Sequence, residues 1–305
     1  MPDIIALGEP MVELNRHKGT DHYAVSCGGD VSNAMVAAAR SGASAGMATA
    51  VGDDEFGRML LAMWAREGVD AAAVRVDAAA PTGIYFVSHS EAGHDFSYRR
   101  AGSAASLFGP EDLPRDAIRG AKVLHVSGIS QAISTRAADA VFAAMAEARA
   151  AGVLLSYDTN IRVKLWPVAR ARAVIHEAMT NIDIALPGQD DARLLVRVED
   201  PDAIADRYLS FGARIVALKL GSQGCLIATA EQRLRIPPHR VEPVDATGAG
   251  DTFDGAFLAE YLATGDAFRA GLYANTAAAL ATQGYGAVDP MPRRAEVLAA
   301  LRPQA

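Results

Sequence analysis

Residues Asp245 to Phe257 read DATGAGDTFDGAF and set an acid, Asp251, directly after Gly248-Ala249-Gly250. The apolar periodicity that begins there reads as a helix from Ala249 to about Ala263. Unpaired N–H groups at a helix start, aided by the helix dipole, bind anions. Gly248, Ala249 and Gly250 are therefore candidates for an anion hole, with backbone that a ligand can approach closely. A carboxylate beside an anion is a poor ligand for it, because like charges repel. It suits a base that takes a proton from a hydroxyl attacking a phosphoryl group, a role typically worth ~10²–10⁴-fold. The alternative is that Asp251 only complements the helix dipole, worth about 0.3–1 kcal/mol.

Three further stretches carry polar groups at glycine-rich turns. KLGSQG puts Lys219, Gly221 and Gly224 after the strand-like RIVALKL, either as a ligand-bordering turn or as a plain hairpin into CLIAT. GGDVSN offers Gly28, Gly29 and Asn33; the amide of Asn33 brings both a donor and an acceptor to hydroxyls, or simply sits in an ordinary first helical turn. Residues 81–100, PTGIYFVSHSEAGHDFSYRR, carry Tyr85, Tyr98 and Arg100. Tyr98 and Arg100 are two apart and share one side of a strand, while Arg99 faces the other. Arg162 stands in YDTNIRVKLW, in the loop after the strand-like VLLSYD. On a bland reading both Arg100 and Arg162 are solvated charges. His125 reads as a core histidine, His89 and His94 as solvated, Trp166 as packed beneath its loop, and Cys27 as a small buried apolar group.

These residues need a frame. IIAL (residues 4–7), AGMATAVG, KVLHVSG, VLLSYD, IDIALPG and RIVALKLG read as buried strands. Between them lie helical patterns from about Ser32 to Gly42, in EFGRMLLAMWAREG, in TRAADAVFAAMAEARAAG and in PDAIADRYLSFGA. Three helices close the chain, around residues 249–263, 268–282 and 295–301. The alternation predicts an α/β fold with a mostly parallel sheet flanked by helices on both faces. Residues 81–100 break the rhythm as a hairpin around a turn at Glu91 to Asp95. With residues 12–25 it is expected to build a small separate sheet, a lid of the kind that excludes water from a reaction.

Composition narrows the partners. The chain has 305 residues, half of them hydrophobic, and carries a net charge of −7, which favours neither nucleic acid nor an anionic membrane. Cys27 and Cys225 show no metal spacing and no partner pattern, as in a reduced, cytoplasmic protein. MPDIIALGEP has no basic segment leading into an apolar core, so no secretory signal is expected. The longest uncharged run, Leu272 to Val288, is broken by Asn275, Gln283 and two glycines and does not read as a membrane span.

DATGAGDTFDGAF resembles the C-terminal signature of the ribokinase-like (PfkB) carbohydrate kinases, and GGDVSNAMVAAARSGASAGMATAVGDDEFGRML resembles their N-terminal one. The two lie in the right order, and the similarity covers essentially all of residues 1–305. The resemblance implies a Rossmann-like domain with a β-sheet lid formed by about residues 12–25 and 81–101. It implies transfer of the γ-phosphate of ATP to a sugar hydroxyl, with Asp251 as base, Gly248, Ala249 and Gly250 as anion hole, and Mg²⁺ arriving with ATP rather than held in a protein cage. Lys219, Gly221, Gly224 and Thr247 would border the nucleotide. Asn275 matches a position near the adenine end, or is an amide at a helix seam. Many members bind a monovalent cation such as K⁺ through carbonyls near Asp245, Thr247 and GYGAVDP. The family's Asn-x-x-Glu is altered here: Gly188 stands where Asn is common and Asp191 where Glu is common. Members often pair through their lids, and Ile84 and Phe86 could serve a homo-oligomer.

YRRAGSAAS is similar to the Tyr-x-Arg-x-Gly-Ser-Ala-Ala-Ser stretch of the 2-keto-3-deoxygluconate kinases within this family. Asp-x-Asn-x-Arg, here Asp158 to Arg162, occurs in keto-acid kinases and in fructose kinases alike. A neutral sugar gives two arginines little to do, whereas a carboxylate gives each a charge-assisted hydrogen bond worth about 1.5–3 kcal/mol. The expected substrate is therefore a sugar acid, bound by Gly29, Asn33, Tyr85, Tyr98, Arg100 and Arg162 with its terminal hydroxyl at Asp251. A fructokinase remains the alternative within the family, and a non-catalytic sugar-binding regulator the alternative outside enzymes.

Overall fold

Apolar runs of four to eight residues, buried on both faces, become most of the inner strands of a large central sheet. The computed structural model describes residues 1–16, 19–90 and 93–302, the side chains of residues 89, 90 and 93–95 excepted. The expected turn around Glu91 and the solvated His89 and His94 thus lie, in whole or part, outside the described residues.

The strands are β1 (Ile4–Leu7), β2 (Met11–Arg16), β3 (Tyr23–Gly28), β4 (Ala45–Gly52), β5 (Val74–Asp77), β6 (Ile84–Ser90), β7 (Gly93–Arg99), β8 (Val123–Ser127), β9 (Leu154–Asp158), β10 (Ile184–Ala185), β11 (Ile215–Lys219), β12 (Cys225–Ala228) and β13 (Arg233–Ile236). Nine form one sheet in the order β13-β12-β11-β10-β9-β8-β1-β4-β5. Pairings from β11 through β5 are parallel; β11-β12 and β12-β13 are antiparallel. KLGSQG is therefore a hairpin turn as well as a loop at the sheet's carboxyl edge.

Burial on both faces reflects the period of two along each strand. In β1, Ile5 and Leu7 pack into one helix-covered core, and Ile4 and Ala6 into the other. The first core holds helices Thr135–Ala150, Val168–Met179 and Pro201–Phe211; the second holds Asp30–Arg40, Glu55–Glu67, Ala249–Thr264 and Ala267–Ala281. Helix ends agree with the expected ones to within about two residues. Val168–Met179 and Gln189–Val196 were not expected, because runs such as ARAR and QDDARLLV have too few apolar positions to stand out.

The second sheet has the order β3-β2-β6-β7, with β2 and β6 parallel and the outer pairs antiparallel. It joins the hairpin of residues 84–99 to the early strands, as the broken rhythm predicts.

Candidate active site

In the nine-stranded sheet the chain leaves β1 toward β4 on one side and returns to β8 on the other. Such a switch point opens a crevice at the carboxyl ends of the strands. A cleft of about 1150 Å³ lies there, walled by Glu9 after β1, Ile129 after β8, Asp158 at the end of β9, Asp191 beyond β10 and Lys219 at the end of β11. Gly29, Asn33, Tyr85, Tyr98, Arg100, Arg162, Gly221, Thr247, Gly248, Gly250 and Asp251 line the same cleft. Residues from the start, middle and end of the sequence thus share one cleft.

Asp251 sits in the first turn of helix Ala249–Thr264, whose N-cap, Gly248, has φ 73° and no side-chain cap. A side chain at Gly248 would meet the backbone of Ala287 at 2.9 Å. The uncapped turn leaves the first backbone N–H groups of the helix without a side-chain partner, and Gly248 and Gly250 line the cleft. The amide of Ala249 is already engaged: it donates to the Ala246 carbonyl at 3.2 Å, and Ala249 is not part of the cleft wall.

One turn beyond Asp251, Gly255 packs against helix Asp30–Arg40 so closely that a Cβ would fall 1.9 Å from the Ala34 carbonyl oxygen. This approach brings Asn33 to Asp251, and its Nδ2 donates to Asp251 Oδ2 at 2.8 Å. The other amide atom, Asn33 Oδ1, is buried without a partner and can accept from a ligand hydroxyl. Burial pushes the Asp251 carboxyl up to about 7; Asp30 and Asp158 add to the rise, and Asn33 and Lys219 oppose it. A base in that range is matched to neutral pH.

Lys219 was expected to border the nucleotide. It lines the cleft, but its ammonium turns to two carboxylates. Nζ donates to both oxygens of Asp254 at 2.9 Å and lies 3.1 Å from Asp158. Burial works against the Lys219 charge, and the two acids outweigh it and hold the ammonium above the ordinary lysine value. Burial likewise opposes ionisation of Asp158, but Lys219 holds it below the usual carboxylate range, whereas burial and Asp158 push Asp254 well above it. The group lies close beneath the turn of Gly248 to Gly250: a Cβ on Gly250 would be 3.8 Å from Lys219 Nζ.

Another part of the cleft wall is basic and aromatic. Arg100 Nη2 lies 3.0 Å from Glu9 Oε2 and donates to Met11 Sδ at 3.1 Å, while its guanidinium sits 4.6 Å from the centre of the Tyr98 ring. Tyr98 stacks on Tyr85 at 5.8 Å, and the Tyr85 hydroxyl donates to Glu13. Arg162 is exposed in the loop after β9, and its Nη1 donates to the Ile161 carbonyl at 3.0 Å. That loop is braced from two sides. Asp191 Oδ2 accepts from the Ile161 amide at 3.0 Å, and Asn160, at φ 24°, donates to Asp30 Oδ2 at 3.1 Å. Burial, with Asp158, pushes Asp191 up to about 6.

Two expected nucleotide residues stand apart. Gly224 turns the chain into β12 outside the cleft wall, and Asn275 gives its amide to the Pro237 carbonyl at 2.9 Å. Asn275 thus makes, through its amide, the kind of contact expected at a helix packing seam. His125 is buried on β8 with Nδ1 3.0 Å from Ser156 Oγ, and Trp166 is buried under its loop, both as expected. Sequence reasoning missed Glu9, Asp30 and the charge partners Asp158 and Asp254. Glu9 and Asp158 shared one signal: each is an acid at the carboxyl end of an apolar strand. Among the described residues no three His, Cys, Asp or Glu side chains form a group able to hold a metal ion. No helix among them is long and apolar enough to cross a membrane.

Known proteins resemble the chain along nearly its whole length. Residues 1–294 match the model of the pfkB family carbohydrate kinases. A 2-dehydro-3-deoxygluconokinase of Thermoproteus tenax is 35% identical over 310 residues, covering 98% of this chain and 94% of its own. Fructokinase-1 of Oryza sativa subsp. japonica is 33% identical over 281 residues, covering 89% and 87%. An E. coli protein described as a ribokinase II, solved in complex with ATP and Mg²⁺, superposes with a TM-score of 0.91 at 28% identity, covering 99% of each chain. The nine-stranded sheet, the second sheet and the Gly-Ala-Gly-Asp turn at the cleft agree with that kinship: the chain belongs to the pfkB family of carbohydrate kinases.

Proposed function

We propose that the chain phosphorylates the terminal hydroxyl of a 2-keto-3-deoxy sugar acid, with 2-keto-3-deoxygluconate and its 6-phosphate as the substrate and product. The observation that carries this reading is the pairing of Asp251 at one part of the cleft with Arg100 and Arg162 lining the same space. The substrate carboxylate would be held by the arginines and its hydroxyls by Asn33, Gly29, Tyr85 and Tyr98.

In the reaction the hydroxyl oxygen attacks the γ-phosphorus of ATP in line. A new O–P bond forms, the bond to the bridging oxygen breaks, ADP leaves, and the hydroxyl proton passes to ionised Asp251. Backbone N–H groups around Gly248 and Gly250 face the transferring group and stabilise its charge. Thr247, Lys219 and Gly221 form the nucleotide wall, with the Lys219 ammonium bound to Asp254 and close beneath Gly250. Mg²⁺ bound to ATP would neutralise phosphate charge. Asp191, at the cleft wall and with one oxygen bound to Ile161, fits a metal-bound water better than direct ligation. A monovalent cation would sit near the loop in which Asp245 accepts from the amides of Thr247 and Gly286.

A fructokinase is the second reading, favoured by one feature: Arg100 already has a carboxylate partner in Glu9. Coupled assays of ATP consumption with 2-keto-3-deoxygluconate, 2-keto-3-deoxygalactonate and fructose test the choice. A higher kcat/KM for either acid than for fructose supports the acid; preference for fructose refutes it. A homo-oligomer pairing through the second sheet is also proposed. Tyr23, Val25 and Phe96 are its exposed apolar residues, while Ile84 and Phe86 are half-buried. A monomeric mass by light scattering would refute it.

A further inference from the structure

We infer that Glu9 is a specificity-determining residue: an internal carboxylate that competes with an acidic substrate for Arg100 and must take up a proton when that substrate binds. The inference rests on the sugar-acid reading above.

Glu9 lies just after β1 at the switch point and is 1% exposed. Its Oε2 is 3.0 Å from Arg100 Nη2, but neither of its oxygens makes a well-aligned hydrogen bond; besides Arg100, the Ser103 side chain is the group poised to reach it. Arg100 Nε is buried and unpartnered as well. A guanidinium and a carboxylate this close, with unused donors and acceptors, form a site whose geometry is unfinished. Both residues line the cleft. An incoming carboxylate reaching Arg100 would therefore meet a second negative charge beside the same cation.

The groups facing Glu9 are few. Arg100 approaches from the end of β7, Asp30 from helix Asp30–Arg40, and Ser103 from the turn just after Arg100. Burial pushes the Glu9 carboxyl up to about 7; Asp30 adds to the rise, and Arg100 and Ser103 oppose it. When a substrate anion occupies Arg100, the opposing charge is shared and Glu9 rises further. Proton uptake on binding is then required by linkage, so acid binding tightens as pH falls through that range. A neutral sugar leaves the Arg100 charge to Glu9 and needs no proton there.

The experiment is calorimetric binding of 2-keto-3-deoxygluconate, and separately fructose, to the full chain with a non-hydrolysable ATP analogue, in buffers of differing ionisation enthalpy. The wild-type chain should bind the acid about tenfold more weakly at about pH 8 than at about pH 6 and take up protons. In Glu9→Gln that pH dependence should shrink to whatever Asp251 contributes, and acid affinity at about pH 8 should rise severalfold. Comparing the two chains removes the contribution of Asp251, which is present in both. Fructose should bring no proton uptake that Glu9→Gln abolishes. Wild-type acid affinity that is flat with pH, or a folded Glu9→Gln that binds the acid more weakly at both pH values, would overturn the inference. If the variant fails to fold, the excess of proton uptake with the acid over that with fructose in the wild-type chain tests the inference instead: no excess overturns it. A chain that phosphorylates fructose and ignores both keto acids would instead sink the substrate reading on which the inference rests.

Discussion

Asn33 and Asp251, 218 positions apart in sequence, are joined by a hydrogen bond of 2.8 Å from Asn33 Nδ2 to Asp251 Oδ2. The bond ties the first helix of the chain to the turn that carries the proposed base. It exists because Gly255 lets the two helices touch at the Ala34 carbonyl. Trp64 holds the other side of the first helix, donating from Nε1 to Ser32 Oγ at 2.9 Å.

Gly255→Ala should therefore damage activity from a distance. A methyl 1.9 Å from a backbone oxygen forces the helices apart. Overpacking of this kind costs about 1–3 kcal/mol, and the shift should break the Asn33–Asp251 bond. Denaturant unfolding and kcat on the same preparation check it; unchanged kcat in a destabilised variant would uncouple the helix contact from the base.

The pH profile of kcat should show an acid limb. Only ionised Asp251 accepts a proton, and its carboxyl is pushed up to about 7. Activity should fall about tenfold per pH unit below that value and level off above it. A rate flat down to about pH 5 would contradict a raised base. The same shift has a stability sign. A carboxyl raised in the folded state stabilises the fold at low pH and loses that contribution as pH rises through about 7. Asp251→Asn should accordingly unfold at higher denaturant than wild type above that pH and show less advantage below it.

Arg100→Ala and Arg162→Ala should each raise KM for the keto acid by about 10- to 150-fold, the equivalent of a charge-assisted hydrogen bond. KM for ATP should stay within about twofold. Equal losses for both substrates would remove the arginines from the sugar side.

Lys219→Met should be among the most destabilising single changes, costing about 3–5 kcal/mol by leaving Asp158 buried without its cation. Adding Asp158→Asn should recover part of the loss in urea unfolding. A Lys219→Met chain of wild-type stability that had lost only ATP affinity would return the ammonium to the nucleotide.

The sheet and its helices were legible because β4, β8, β9 and β11 are mostly apolar runs bounded by glycine or charge. The second sheet was legible from a break in that rhythm. The cleft was legible where a backbone requirement left a mark: the glycines before Asp251 and after Cys27 announce close approach. What escaped the sequence was pairing. Nothing local in KLGSQG says that Lys219 turns inward, because Asp158 and Asp254 arrive from 61 and 35 positions away. Glu9 escaped for the same reason: its partner, Arg100, comes from just past the far strand of another sheet. Gly224 and Asn275 read alike as ligand residues or packing residues, and only the fold puts them outside the cleft wall.

The central claim is that the carboxylate of Asp251 takes the proton. Phosphoryl transfer from labelled ATP to 2-keto-3-deoxygluconate, compared between the wild type and Asp251→Asn with nucleotide binding measured on both, tests it most directly. The expected result is a phosphate ester with the wild-type chain, a rate lower by about 10²–10⁴-fold in the variant, and ATP affinity preserved. Transfer at the wild-type rate by Asp251→Asn would contradict it.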